Sequence, residues 1–139
     1  MINQSLFSSA NIEWATPQKV FDKLNEEFHF TLDPCALPSN AKCAKFYTPA
    51  EDGLTQNWEG ETVFCNPPYG RQLGLWVRKC REESWKQKTK VVMLIPARTD
   101  TKWFHEHIYN KAEIRFIKGR LKFGGSKNSA PFPSMIVIF

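Results

Sequence analysis

The sequence predicts an α/β fold built on a mostly parallel, doubly wound sheet. Segments of strand character alternate with segments of helical spacing, the pattern of a sheet whose crossovers are helices. The run "KVVMLIPA" is continuously apolar, as expected of a parallel strand covered on both faces. "DPCALPSN", "NPPYGR" and "PARTDT" each stop a strand-like run abruptly. In a parallel sheet such stops share the carboxyl edge, where ligands bind.

Taken in order, "ATPQKVFDKLNEEFHF" opens with Thr16 as the expected N-cap and Pro17 at the first helical position. Val20, Phe21, Leu24 and Phe28 then recur at helical spacing, so a helix over about 17–28 is expected. "FHFTLD" alternates like a strand and stops at Asp33-Pro34. Residues 34–59 are rich in Pro, Ala, Asn and Asp, with one short strand expected at "KFYT"; long irregular segments of this kind are commonly functional. "ETVFC" is the next strand. Leu73, Trp76, Val77 and Cys80 mark a helix running to the high eighties, and Trp103, Phe104, His107 and Ile108 mark another. "EIRFIKG" and "SMIVIF" read as the last two strands. No repeat, low-complexity tract or linker interrupts residues 1–139, so one domain is expected.

Hydrophobic residues at 42% and charged residues at 24% argue for a packed globule and against disorder. The sequence opens without a basic and apolar leader, and no run approaches membrane-spanning length. Cys35, Cys43, Cys65 and Cys80 form no C-x-x-C pair, which fits reduced thiols in a cytosolic protein. His29, Cys35 and Cys43 lack the paired spacing of a structural zinc site, so no metal is expected. Charge is unevenly placed. Residues 1–69 hold four Lys/Arg against nine Asp/Glu, a net −5, whereas the rest of the chain carries fifteen against five, a net +10. That asymmetry points to a polyanionic partner on one side of the molecule.

The segment "VFCNPPYGR" (63–71) is the most informative. Pro67 and Pro68 cannot donate to a sheet ladder, and their fixed φ stiffens the turn. Asn66, preceding a proline, is held extended. The chain therefore leaves the sheet as a rigid loop presenting an amide, neighbouring carbonyls and the Tyr69 ring. This suits methyl transfer to a conjugated amine, whose lone pair is delocalised into its ring. Two carbonyl acceptors hold such an amine pyramidal and stabilise the charge that develops on nitrogen, while an aromatic ring stacks on the base. A base inside a duplex has first to be flipped out.

"WATPQ" (14–18), "LDPCA" (32–36), "DGLTQNW" (52–58), "NPPYG" (66–70), "LIPARTDTKWF" (94–104), "FIKGRLKF" (116–123) and the terminal "APFPSMIVIF" together resemble the small phage-type DNA N-6-adenine methyltransferases, the Dam-like family of phages and prophages. The resemblance spans nearly the whole chain. It implies a class I (Rossmann-like) methyltransferase fold as a minimal single domain, S-adenosylmethionine as methyl donor, adenine in DNA as acceptor, and the cytoplasm of a bacterial host as the place of action. By the same resemblance Asn66, Pro67, Pro68 and Tyr69 form the catalytic loop. Thr16 and Pro17 cover the methionine end of the cofactor, Trp14 is a further cofactor contact, and Asp33 and Ala36 approach the methionine end from the first strand. Asp52 meets the cofactor's adenine amine, with Leu54 beside its ring. The first turn departs from the pattern of many methyltransferases, since "DPCALPSN" has no glycine; Asn40 is a substitute contact there. No acidic residue plainly closes a second strand to hold the ribose, and Glu51 is the candidate.

A chain of this length leaves no room for a separate recognition domain, so target reading is expected from loops or from a second subunit, as in a homodimer. "KGRLKFGGSKNSAPFP" (118–133) mixes Lys118, Arg120, Lys122 and Lys127 with Phe123 and two glycines. Basic side chains there would fix phosphates while the aromatic stacks or wedges. Arg71 and Arg98, at two strand ends, are similar candidates. Two other readings stand beside this one: a methyltransferase acting on protein glutamine, whose conjugated amide nitrogen also suits the loop, and a catalytically silent DNA-binding module that retains the fold.

Overall fold

The computed structural model describes residues 15–125 and 127–139. Trp14 therefore lies outside the described residues. The described strands are β1 (Leu32–Asp33), β2 (Lys45–Phe46), β3 (Thr62–Cys65), β4 (Lys90–Pro96), β5 (Glu113–Phe116) and β6 (Ser134–Ile138). They form one sheet in the order β2-β1-β3-β4-β6-β5. Pairings β1–β2, β1–β3 and β3–β4 are parallel, while β6 is antiparallel to both β4 and β5. Five strands thus run one way and β6 the other. The chain steps from β1 outward to β2 and then crosses back to β3 on the other side, so the strand order reverses between β1 and β3. In open α/β sheets such a reversal opens a crevice at the strand ends.

Helix α1 (Gln18–Phe28) covers one face through Phe21 and Leu24. It begins one residue later than its spacing predicts: Pro17 takes the cap position, and its carbonyl accepts from the Val20 and Phe21 N–H groups. Thr16 does not cap the helix, because its hydroxyl is engaged elsewhere, as described below. Helix α2 (Leu73–Ser84) covers the other face through Leu73, Trp76, Val77 and Cys80. It stops at Ser84 rather than in the high eighties, and Lys88 adopts φ 53° before β4 starts. The predicted helix around Trp103 is a single wide turn, Phe104–Ile108. The strand expected from Phe28 to Asp33 pairs only at Leu32 and Asp33.

Segment 52–58 is fixed between β1 and α2 by close approach and by hydrogen bonds. A Cβ at Gly53 would lie 2.1 Å from the Pro34 carbonyl oxygen, so only glycine lets this turn reach the end of β1. The Trp58 indole donates to the Gly53 carbonyl (3.1 Å), and the Trp58 backbone N–H donates to Glu83 Oε1 (2.7 Å). Glu83 is buried, and its other oxygen accepts from Lys79 (3.1 Å) and Lys86 (2.8 Å). Burial acts to raise the Glu83 carboxyl, but Lys86, the Trp58 N–H and Lys79 together hold it below the ordinary carboxylate range. Among the described residues no helix is long and apolar enough to cross a membrane.

Candidate active site

Because β1, β3 and β4 are parallel, Asp33, Asn66 and Ala97 emerge at one edge of the sheet. The antiparallel β6 begins at that same edge, so segment 117–133, which joins β5 to β6, is also placed there. Its position is pinned by Ile117 N–H to Ser134 O (3.1 Å), Ala97 N–H to Pro133 O (2.9 Å) and Ala130 N–H to Leu121 O (2.8 Å). A further bond, Gly124 N–H to Ala15 O (3.0 Å), ties it to the chain entering α1.

Asn66 stands half-buried at the end of β3, followed by the buried Pro67 and Pro68. Its amide is held at both ends. Nδ2 donates to Thr16 Oγ1 at 3.0 Å, and Oδ1 accepts from the Tyr69 hydroxyl at 2.7 Å. The Tyr69 hydroxyl also lies 3.3 Å from the Leu94 carbonyl of β4. Burial pushes the Tyr69 phenol well above its ordinary range, so it stays a proton donor at any physiological pH. The Tyr69 ring meets Phe132 and Phe123 edge-on, with centroids 5.6 and 6.2 Å away.

Asp33 ends β1 beneath the same edge and is buried. Its Oδ1 accepts from the Cys35 N–H (3.3 Å) and its Oδ2 from the Lys42 N–H (3.0 Å). Burial raises this carboxyl to about 6, opposed by the two backbone N–H groups and the Lys42 charge. Asp33, Cys35, Asn40, Lys42, Thr16 and Asn66 line one small cavity. Thr16 and Asn40 also line the adjoining cleft of about 320 Å³, together with Pro17 and Gly124. The structure therefore brings Thr16, Pro17, Asp33, Asn40 and Asn66 around two neighbouring cavities that share Ala15, Thr16 and Asn40. Ala36 is buried, with its N–H on the Tyr47 carbonyl (3.0 Å), and Cys35 takes its place on the cavity wall. Asn40 steadies its own turn by accepting the Leu37 N–H at 2.9 Å.

Asp52 and Leu54 sit farther along, on the turn held against Pro34. Asp52 is half-buried at φ 57°, and its Oδ1 accepts from the Leu54 N–H at 3.1 Å. Glu51 is exposed, and its carboxylate accepts from both the N–H and hydroxyl of Thr48 (2.7 and 2.9 Å). Arg71, Arg98, Lys118, Arg120 and Lys122 are all exposed. Arg71 follows Gly70, which adopts φ 117° at the exit of the Asn66 turn. The Arg98 guanidinium lies 6.0 Å from the Phe132 ring centroid. Phe123 is not available to wedge into a nucleic acid, because it is buried against Tyr69 and Phe132.

Sequence reasoning missed Lys42 and Gly53. Lys42 lies in an irregular stretch with no motif around it. Gly53 carried a signal, a glycine beside an aspartate before a tryptophan, but the 2.1 Å approach that demands it is a tertiary fact.

A family model described as DNA N-6-adenine-methyltransferase (Dam) matches residues 5–139. The chain belongs to that family. A DNA N-6-adenine-methyltransferase of Haemophilus phage HP1 is 36% identical over 134 residues, covering 91% of this chain and 77% of the relative. One from Escherichia phage T1 is 34% identical over 110 residues, covering 78% of this chain but 45% of that longer protein. The putative methyltransferase YfdM of Escherichia coli K12 is 36% identical over 64 residues, 41% of this chain and 70% of the relative. The Dam family match thus takes in every element that builds the carboxyl edge, from the Thr16 segment to β6.

Proposed function

We propose that this chain is a DNA adenine N-6 methyltransferase of the class I, Rossmann-like type, using S-adenosylmethionine to methylate the exocyclic amine of an adenine flipped out of DNA. The observation that carries the reading is the Asn66 amide, held at both ends on a rigid turn beside Asp33 at the strand-order reversal, in a chain of the Dam family. The parallel core and the crevice at the carboxyl edge support the Rossmann-like assignment.

The residues present fit the cofactor. It carries an ammonium, and the Asp33 carboxylate on the cavity wall, ionised above about pH 6, would meet it. It carries an adenine amine, and Asp52, with one oxygen used by the Leu54 N–H, keeps acceptor capacity for it. Thr16, Pro17 and Asn40 would wall its methionine end. When bound, S-adenosylmethionine supplies a sulfonium methyl as the electrophile. Asn66 Oδ1 accepts one hydrogen of the target amine and a carbonyl of the Pro67-Pro68 turn accepts the other. The amine is thereby drawn toward a pyramidal geometry, and the charge developing on nitrogen is offset. The Asn66 oxygen has a second lone pair for the amine beside the Tyr69 hydroxyl, and the Tyr69 ring would stack on the base by leaving its edge-on packing against Phe123 and Phe132. Arg71, Arg98, Lys118, Arg120 and Lys122 hold phosphates around the opening.

Target reading then falls to segment 118–133 or to a second copy of the chain, within a single catalytic domain acting in the cytoplasm of a bacterial host. A transfer assay with labelled S-adenosylmethionine tests the reading, offering duplex DNA, single-stranded DNA and protein extract in parallel. Label recovered as N-6-methyladenine, absent with Asn66→Ala, is the expected result. Label confined to protein would favour glutamine as acceptor. DNA binding without any label would leave a silent module.

A further inference from the structure

Thr16 is buried, 6% exposed, yet its hydroxyl is directed at a side chain fifty residues away in sequence. An asparagine amide has two ends of nearly the same shape and opposite chemistry, one accepting and one donating. The torsion that exchanges them is soft and roughly two-fold. For a group whose task is to accept a hydrogen from an amine, the flipped state is inhibitory, because Nδ2 would then meet the amine donor to donor.

From this geometry we infer that Thr16 is the positioning residue that anchors the Asn66 side chain in its working place. Its hydroxyl accepts from Nδ2 at 3.0 Å, with the donor end toward the α1 entrance and Oδ1 on the Tyr69 side. The inference rests on the methyltransferase reading above and changes one part of it: Thr16 borders the cofactor cleft, but its hydroxyl serves the catalytic amide. The two contacts on the amide sit on different ends. Tyr69 uses one acceptor site of the oxygen that the substrate needs, whereas Thr16 holds the end that the substrate does not use. The bond also joins the Pro17 segment, which walls the cleft, to the catalytic turn.

Thr16→Val preserves shape and removes only the acceptor. It is expected to lower kcat roughly tenfold or more, as loss of one orienting hydrogen bond would, while the dissociation constant for S-adenosylmethionine, measured by calorimetry, stays within about twofold. Thr16→Ser, which keeps the oxygen, should recover most of the lost rate. A readout independent of turnover is the side-chain amide of Asn66 in nitrogen-15 NMR. Its hydrogens should exchange slowly in the wild type and in Thr16→Ser, and faster in Thr16→Val. An active wild type whose Thr16→Val variant matches it in kcat and in amide exchange overturns the inference while leaving the proposed function standing. Cofactor affinity lost in step with kcat also overturns it and returns Thr16 to the cofactor. A wild type that transfers no methyl to DNA overturns both.

Discussion

The two faces of the sheet are closed by different kinds of polar network. On the α2 face, Trp58 and Trp76 stack at 6.5 Å, and the buried Glu83 carboxylate gathers the Trp58 N–H, Lys79 and Lys86. Every partner there belongs to the chain, and the network ends in itself. On the α1 face, over β4 and β6, the cover includes Phe123, Ala130 and Phe132 from an irregular segment. The polar chain beneath it runs Leu94, Tyr69, Asn66, Thr16 and then opens into the cleft. A closed network can only hold the fold. One that borders a cavity can exchange a partner for a ligand, and that is where chemistry becomes available.

The comparison makes opposite demands on substitutions at its two centres. Glu83→Ala leaves the buried Trp58 N–H without its acceptor and takes the carboxylate from Lys79 and Lys86, which keep Gln56 O and Asn57 Oδ1, so unfolding free energy should fall by about 1–3 kcal/mol. Transfer per folded molecule should be unchanged. A denaturant titration showing a loss below about 1 kcal/mol would mean that water replaces the carboxylate and the α2 network is not closed. Asn66→Ala should do the reverse. Transfer should drop by about 10²–10³-fold, as expected for losing a donor or acceptor aimed at developing charge. The unfolding midpoint and cofactor affinity should stay near the wild type. Parallel loss of transfer and cofactor affinity would move Asn66 from the reaction to the cofactor wall.

The contrast between the faces was only half visible in the sequence. The run "KVVMLIPA" and the N-P-P-Y stop placed β4 and the Asn66 turn, because continuous apolarity and missing N–H donors are local properties. The resemblance supplied the motifs, but not their depth. Thr16 read as a helix cap, since threonine before proline usually is one; its true partner lies fifty residues away, and no spacing rule reaches that far. Phe123 read as a DNA contact because it sits among lysines and glycines, and only the packing of Tyr69 and Phe132 shows it to be interior. Glu83 carried no signal, being one more charge on a helix until Trp58 is seen to need its carboxylate.

Asp33 sharpens the comparison through pH. Both Asp33 and Asp52 accept the backbone N–H two residues onward, at 3.3 and 3.1 Å, but Asp52 is half-buried and Asp33 fully buried. Burial raises the Asp33 carboxyl to about 6. A raised carboxyl means that folding favours the protonated form. Asp33 therefore adds stability below about pH 4, near its unfolded value, and that increment is lost as pH rises through about 6. Under the proposed function the ammonium of S-adenosylmethionine would ask for the ionised form instead. Stability of the ligand-free protein should accordingly fall between pH 4 and 6 relative to Asp33→Asn. Over the same range, affinity for S-adenosylmethionine should rise toward a plateau above pH 6, by up to about tenfold per unit where protonation competes with binding. Calorimetric titrations that show the same flat profile in both proteins would make Asp33 a turn residue like any other.

The smallest effect is expected at the exposed basic residues of segment 118–133. Lys118 and Arg120 are exposed at the carboxyl edge, so each would contribute a phosphate contact and no sequence reading. Replacing both with alanine should leave unfolding and cofactor affinity unaltered. It should weaken DNA binding about equally for all sequences and reduce the salt slope by roughly two units in log–log form, since each neutralised phosphate contributes about 0.9. The same two substitutions also report on the cover over Tyr69. Segment 118–133 carries Lys118 and Arg120 as well as Phe123 and Phe132, which pack on Tyr69, so under the proposed function DNA held by Lys118 and Arg120 would pull on the cover over Tyr69. The double variant should then lose rate at saturating DNA as well as affinity. A reduced salt slope with an unchanged saturated rate would show that the basic residues only gather DNA and that the cover opens without them.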